Sequence, residues 1–351
     1  MKNNSNKTKS KKHQILERFV IALLILGVII GGIFAYVTKN PQIIVGFIQS
    51  QLYKDSPINS FEPFNEPDSN IREDGSLYVN DIKYGDEYAN SYLDITYPSE
   101  DISVDRPTII YFHGGGYFGG DKSMGDPLAV DDDINVLFNE IVKNGYNFIN
   151  VNYALVPDYH FPVPLIQMNQ AINFLVENAE KYGLNMNNVV IFGQSAGAIL
   201  TAQYGALISN EDYRNELNIY PQLTTEEVKA LIIDDAPLAT EGFNFNTKML
   251  IRNYLDTSDL SGDIAKQYNA LLHINENFPV SFMTAGNTDG FPKDMQQLAD
   301  KLDEYNIDNE YYYRDRSYSD LPHGYLNSIK DNEYARECFD NILEFIDKYT
   351  K

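Results

Sequence analysis

The chain has 351 residues and a formal net charge of −23, which leaves room for one large α/β domain or two small ones and is ample for a buried core. Such an acidic field disfavours nucleic acid and anionic membrane as binding partners. The single cysteine, Cys338, excludes an intrachain disulfide, a four-cysteine zinc site and a lipoprotein-type cysteine near the start.

Residues 1–18 carry Lys2, Lys7, Lys9, Lys11, Lys12 and Arg18 against Glu17 alone. Phe19 to Thr38 follows as an uncharged run dominated by Ile, Leu, Val and Gly, long enough as a helix to cross about 30 Å of hydrocarbon. The positive-inside rule makes residues 1–18 a cytoplasmic tail, 19–38 a single transmembrane helix, and places the rest outside the cell. A cleaved secretory signal shares the basic start, but its apolar core is usually about 7–15 residues and ends in an Ala-x-Ala-like site. Ile33-Phe34-Ala35 is a poor version of that site, so a retained anchor is the expectation and a secreted form the alternative. Residues 39–75 read as a juxtamembrane segment and linker. Within them Pro41 to Tyr53 is a short apolar stretch that suits either the membrane interface or a place against the folded domain. Asp55 to Gly75, rich in Pro, Asn, Asp, Glu and Ser and without periodicity, suits a tether.

The folded domain is expected over 76–351. Leu77 to Tyr84 and Tyr92 to Tyr97 look like an opening hairpin or meander, and Thr108 to Phe112 like a buried strand. A helix near Ile134 to Asn144 precedes the strand Asn147 to Val151. Leu165, Met168, Ile172, Leu175 and Ala179 step by three and four, which marks a helix with one face on the core. Further strands are expected at Val189 to Phe192, Val228 to Ile233, Pro279 to Ala285 and Glu310 to Arg314. A helix bears Met295, Leu298 and Leu302, and a closing helix bears Ala335, Phe339, Ile342, Ile346 and Tyr349. Strands separated by helices argue for a mostly parallel sheet covered on both faces. Residues 238–277 break the rhythm, with helical stretches and no convincing strand. They are expected as a cap insertion over the carboxyl ends of the strands or, alternatively, as a long decorated crossover.

Two glycine-rich turns carry the chemistry. Gly193-Gln194-Ser195-Ala196-Gly197 is a GxSxG pattern between an apolar β-branched run and a helix-compatible Ala/Ile/Leu series. A strand, sharp turn and helix in that order lift a serine hydroxyl out of the sheet and aim the next backbone N–H at whatever it attacks. His113-Gly114-Gly115-Gly116 ends an earlier strand, and consecutive glycines let bare N–H groups converge on a developing oxyanion. Gly114, Gly116 and Gly119 also fit GxGxxG, but no helix opens there and the next strand ends in Asn152-Tyr153, so a dinucleotide site is not expected. A serine needs a base, and the base an orienting carboxylate. His323 and Asp289 follow late strands in the chain order serine, acid, histidine. Asp234 or Asp235 could supply the acid instead. His160, ahead of the elbow, and His273, inside the cap candidate, compete less well as base.

Taken together, these motifs resemble the hormone-sensitive-lipase-like carboxylesterases of the α/β-hydrolase superfamily, and Asn152-Tyr153-Ala154-Leu155-Val156-Pro157 with Phe161-Pro162 is similar to a segment common in that group. The likeness spans roughly residues 90–350. It implies Ser195 as nucleophile, His323 as general base and acid, Asp289 as its orienter, and an oxyanion hole from the N–H groups of Gly115, Gly116 and Ala196. His113 then braces the loop, and neither metal nor cofactor is needed. Gln194 departs from the pattern, where many relatives carry an acidic residue, as does Ala198, where they carry a second glycine. The resulting expectation is a membrane-anchored, extracytoplasmic serine hydrolase of short-chain acyl or acetyl esters, small or polysaccharide-linked. The alternatives are a serine peptidase of the prolyl-oligopeptidase type and a catalytically dead, hydrolase-like binding module.

Overall fold

The computed structural model describes residues 26–54, 58–63, 67–129, 134–239, 242–288 and 290–351. Two helices come first, α1 (Leu26–Lys39) and α2 (Gln42–Tyr53), followed by strands β1 (Ser69–Ile71), β2 (Leu77–Lys83), β3 (Tyr92–Tyr97) and β4 (Pro107–Phe112). Then α3 (Ile134–Lys143), β5 (Asn147–Val151), α4 (Val163–Glu177) and α5 (Ala179–Tyr182) lead to β6 (Asn185–Gln194). After it come α6 (Ala196–Ser209), α7 (Glu211–Leu217), β7 (Val228–Asp234), α8 (Phe245–Tyr254) and α9 (Asp263–Tyr268). The chain closes with β8 (Ser281–Thr284), α10 (Pro292–Glu304), β9 (Asn309–Tyr312) and α11 (Glu333–Thr350).

Among the described residues the strands form one nine-stranded sheet in the order β1-β2-β3-β5-β4-β6-β7-β8-β9. The first three pair antiparallel, as does β3 with β5, and from β5 onward every pairing is parallel. The central strands are continuous apolar runs because both faces are covered. Their side chains alternate with the pleat. Ile110, Phe112, Val189 and Ile191 point into a core shared with α4, α6 and α10, whereas Ile109, Tyr111, Val190 and Phe192 point into a second core closed by α3 and α11. The helix α6 is buried along its whole length from Ala196 to Ile208, so it is covered on every side rather than along one stripe. Between β7 and β8, where a cap was expected, α8 and α9 are the only α-helices among the described residues, with no strand beside them.

The amino-terminal region is described from Leu26 onward. No single described helix is long and apolar enough to cross a membrane. The pair Leu26–Lys39 and Gln42–Gln51 reaches that length and composition only together, with an 81° bend between them. Residues 1–18 and the first part of the expected span lie outside the described residues. Part of the expected tether is fixed to the domain: Asn59 bonds to Leu155 through both its amide nitrogen and its amide oxygen, and β1 adds to the edge of β2. An asparagine side chain offers a donor and an acceptor, so it can fasten a loop that has no apolar pattern.

Candidate active site

β6 ends at Gln194 and α6 begins at Ala196, which leaves Ser195 alone in the turn with φ 55° and ψ −115°. That left-handed φ is strained for any residue with a side chain and persists because the surroundings determine it. Ser195 N–H donates to Asp234 O at 2.7 Å, tying the turn to β7. The flanking glycines are obligatory. A Cβ on Gly193 would stand 2.1 Å from Gly197 O, and one on Gly197 would stand 1.9 Å from Phe112 O.

The loop after β8 and β9 brings His323 over this serine, with Nε2 3.0 Å from Ser195 Oγ. At the opposite ring nitrogen, Asp235 Oδ2 lies 3.3 Å from Nδ1. Asp235 is held by two backbone donors, Gly286 N–H to Oδ1 at 2.9 Å and Gly324 N–H to Oδ2 at 3.0 Å. Its neighbour Asp234 turns away and accepts from Gln194 Nε2 at 2.9 Å. Gln194 also donates to Asn327 Oδ1 at 2.9 Å, so the amide at the position where relatives carry an acid ties the elbow to the segment after the histidine. Asp289 lies outside the described residues; among them, the carboxylate facing Nδ1 is that of Asp235.

A second carboxylate was not foreseen. Asp126, fully buried, places Oδ2 3.4 Å from His323 Nε2. The same oxygen would be 2.1 Å from a Cβ on Gly114, which explains that glycine. No periodicity marks a buried acid in a glycine-rich loop, so the sequence carried no signal for it.

The glycine loop is built as a brace of aromatic rings. His113 stacks on Tyr153 with centroids 4.1 Å apart, its Nδ1–H donates to Gly114 O at 2.8 Å, and Tyr153 Oη donates to His113 O at 2.7 Å. Burial holds the His113 imidazole below its ordinary pKa, which keeps it neutral. Tyr117 stacks on Tyr254 of α8 at 3.5 Å and donates to Ala196 O at 3.1 Å, joining loop, elbow and cap segment. Gly115 and Gly116 have φ of 105° and 57°, and a Cβ on Gly115 would meet Gly119 O at 2.2 Å.

Gly116 and Ala196 line a cavity of about 190 Å³ together with Ser195 and His323; Leu250 and Ile251 of α8 and Phe291 make its wall apolar. A hollow of about 230 Å³ behind the loop, against Tyr53, Phe61 and Lys122, has none of the three catalytic candidates in its lining. His160 and His273 stay outside the constellation, each bonded to a backbone carbonyl, Asn253 O and Lys266 O. Among the described residues no cluster of His, Cys, Asp and Glu could hold a metal ion.

A doubly covered parallel sheet with a serine at a strained turn under a histidine defines an α/β-hydrolase. The family model BD-FAE matches residues 93–302, more than half of the chain, and the chain belongs to that family. Ethyl acetate hydrolase of Pseudomonas putida is 30% identical over 128 residues, 35% of this chain and 38% of that protein. Human arylacetamide deacetylase-like 4 is 29% identical over 194 residues, 54% of this chain and 42% of that protein. The chain thus spans well under half the length of these curated relatives. Of solved structures, esterase B from Lactobacillus rhamnosis has a TM-score of 0.66 at 16% identity, covering 90% of this chain and 95% of that one. EstE1, a carboxylesterase from a metagenomic library, has a TM-score of 0.61 at 17% identity, covering 89% and 98%. At these identities the structural likeness is one of fold.

Proposed function

We propose that the protein hydrolyses short-chain acyl or acetyl esters through an acyl-enzyme, with Ser195 as nucleophile, His323 as base and Asp235 as orienting acid. The observation that carries the mechanism is the 3.0 Å approach of His323 Nε2 to Ser195 Oγ, with the Asp235 carboxylate against the other ring nitrogen. Oγ attacks the ester carbonyl as Nε2 takes its proton, and the imidazolium then gives that proton to the leaving alkoxide. Water repeats the cycle on the acyl-enzyme and releases the acid. The Asp235 carboxylate, 3.3 Å from Nδ1, favours the tautomer that carries its proton there and leaves Nε2 to act as base. The N–H groups of Gly115, Gly116 and Ala196 receive the oxyanion, a stabilisation worth about 2.7–4 kcal/mol for each donor.

The cavity of about 190 Å³ favours a short acyl group, since it falls below the ~300–1,000 Å³ typical of drug-sized ligands. The name of the Pseudomonas relative, ethyl acetate hydrolase, points the same way. The folded domain is further proposed to sit outside the cell on a retained amino-terminal helix. The basic residues before position 19, the apolar run Phe19 to Thr38 and the exposed Val28, Ile30, Ile33 and Phe34 on α1 support that placement.

The test is Ser195→Ala in the full chain. Turnover of p-nitrophenyl acetate is expected to fall by roughly 10⁶-fold with the unfolding midpoint unchanged, and labelling by a fluorophosphonate probe is expected to disappear. Undiminished hydrolysis would refute the assignment.

A further inference from the structure

Pro41 at the N-cap of α2 and Val45 and Gln49 along it recur every fourth residue and are buried, so a narrow stripe of the helix faces the domain while Ile43, Phe47 and Ile48 face outward. A primary amide gains little from burial unless it is hydrogen-bonded. Gln49 is 3% exposed, and its Nε2 donates twice across the fold, to Phe118 O at 3.0 Å and to Val156 O at 2.6 Å.

Both bonds lead to one peptide. The Phe118 carbonyl shares its peptide plane with Gly119 N–H, which donates to Gly115 O at 3.0 Å. Val156, the second residue that Gln49 holds, donates its own N–H to Tyr117 O at 2.9 Å. The Tyr117 carbonyl shares its plane with Phe118 N–H, which donates to the same Gly115 O at 3.1 Å. The Gly115 carbonyl in turn shares its plane with Gly116 N–H, and Gly116 lines the cavity beside Ser195. Along the Phe118 branch the hydrogen bonds polarise one another, by roughly 10–30% per bond, whereas the Val156 branch holds position only, because that residue's carbonyl and N–H belong to different peptides. The loop they hold is also one that would not keep its shape unaided, because Gly115, Gly116 and Tyr117 all have left-handed φ, 105°, 57° and 64°.

We propose that Gln49 is a positioning residue for the oxyanion loop: its amide pins and polarises the peptide relay that ends at Gly116 N–H, so the docking of α2 sets the strength of the oxyanion hole. The inference rests on Gly116 acting as an oxyanion donor, as proposed above. It makes the helix next to the proposed anchor part of the catalytic apparatus rather than a spacer.

The test uses the full chain carrying Gln49→Met, which keeps length and helix propensity but removes both donors, and Gln49→Glu, which keeps the shape and places an acceptor where the donor was. Three quantities are read: kcat, KM for p-nitrophenyl acetate, and the inhibition constant of a trifluoromethyl ketone, which binds serine as a tetrahedral oxyanion. In both variants kcat is expected to fall by about tenfold, less than the 10²–10³ lost with a donor itself because the donors remain in place. The ketone is expected to weaken by a similar factor while KM stays within about twofold, since ground-state binding does not use the hole. Unchanged kcat and ketone affinity would overturn the inference. So would a loss that tracks a fallen unfolding midpoint or appears only in KM, because either marks α2 as packing alone. If instead Ser195→Ala retains activity, the catalytic reading itself fails, and that outcome is separate from any result at Gln49.

Discussion

Asp234 and Asp235 are chemically identical neighbours that one backbone angle sends to different tasks. Asp234 closes β7 and reaches Gln194 beneath the elbow, whereas Asp235 takes φ 61°, leaves the strand and turns its carboxylate to His323. Alternation along a strand puts successive side chains on opposite faces, and here the strand ends between them. Asp235→Asn in the full chain is expected to lower kcat by about 10⁴, since an amide no longer selects the working tautomer, with the fold retained. Asp289→Asn, at the acid that the sequence reading favours, is measured beside it. Steady-state kinetics on the pair decides the matter, and a large loss confined to Asp289→Asn would move the acid to that position. Ser195, His323, Gly193 and Gly197 were legible as a pattern, because a strained turn tolerates few residue types and chain order constrains the base. Spacing alone does not rank Asp234, Asp235 and Asp289 as the acid, because all three stand at or just past the carboxyl ends of strands of the same sheet.

At the scale of the element, the first turn of α10 holds a buried acid whose pH behaviour can be read out. Asp294 Oδ2 accepts from Ala239 N–H at 3.2 Å, and burial raises its pKa to about 6. The unfolded chain releases that proton near pH ~3.9, so between about pH 4 and 6 the folded state binds more protons than the unfolded. The contribution of this group to stability is therefore fully present below about pH 4 and is lost as pH rises through 6. Asp294→Asn keeps an acceptor oxygen without the charge. It is expected to raise stability by about 3 kcal/mol at pH 8 and to leave it nearly unchanged at pH 4. Thermal unfolding at the two pH values measures this, and an equal shift at both would contradict it. Helices such as α3, α10 and α11 were readable in advance because each lays one apolar stripe on a core. The docking of α2 was not, because its stripe is one residue wide and its decisive member is a polar glutamine that pattern analysis counts as outward.

For the molecule as a whole, the proposed amino-terminal anchor predicts where the domain is found in the cell. The 81° bend between α1 and α2 would lay α2 along the surface if α1 stands across the bilayer. With a retained anchor, the full chain is expected to stay with membranes after alkaline carbonate extraction, and protease added to intact cells is expected to remove the catalytic domain. Release into the soluble fraction, or full protection from protease, would refute that orientation. Taken alone, the sequence determined the α/β class, the serine elbow, the histidine and the glycine loop, because each is a local matter of periodicity, turn sterics or order along the chain. Only the tertiary structure placed the Asp235 carboxylate and Asp126 against the His323 ring, and Gln49 against the glycine loop. Those contacts join residues distant in the chain, and their distances depend on how packed elements lie against one another, which no local pattern records.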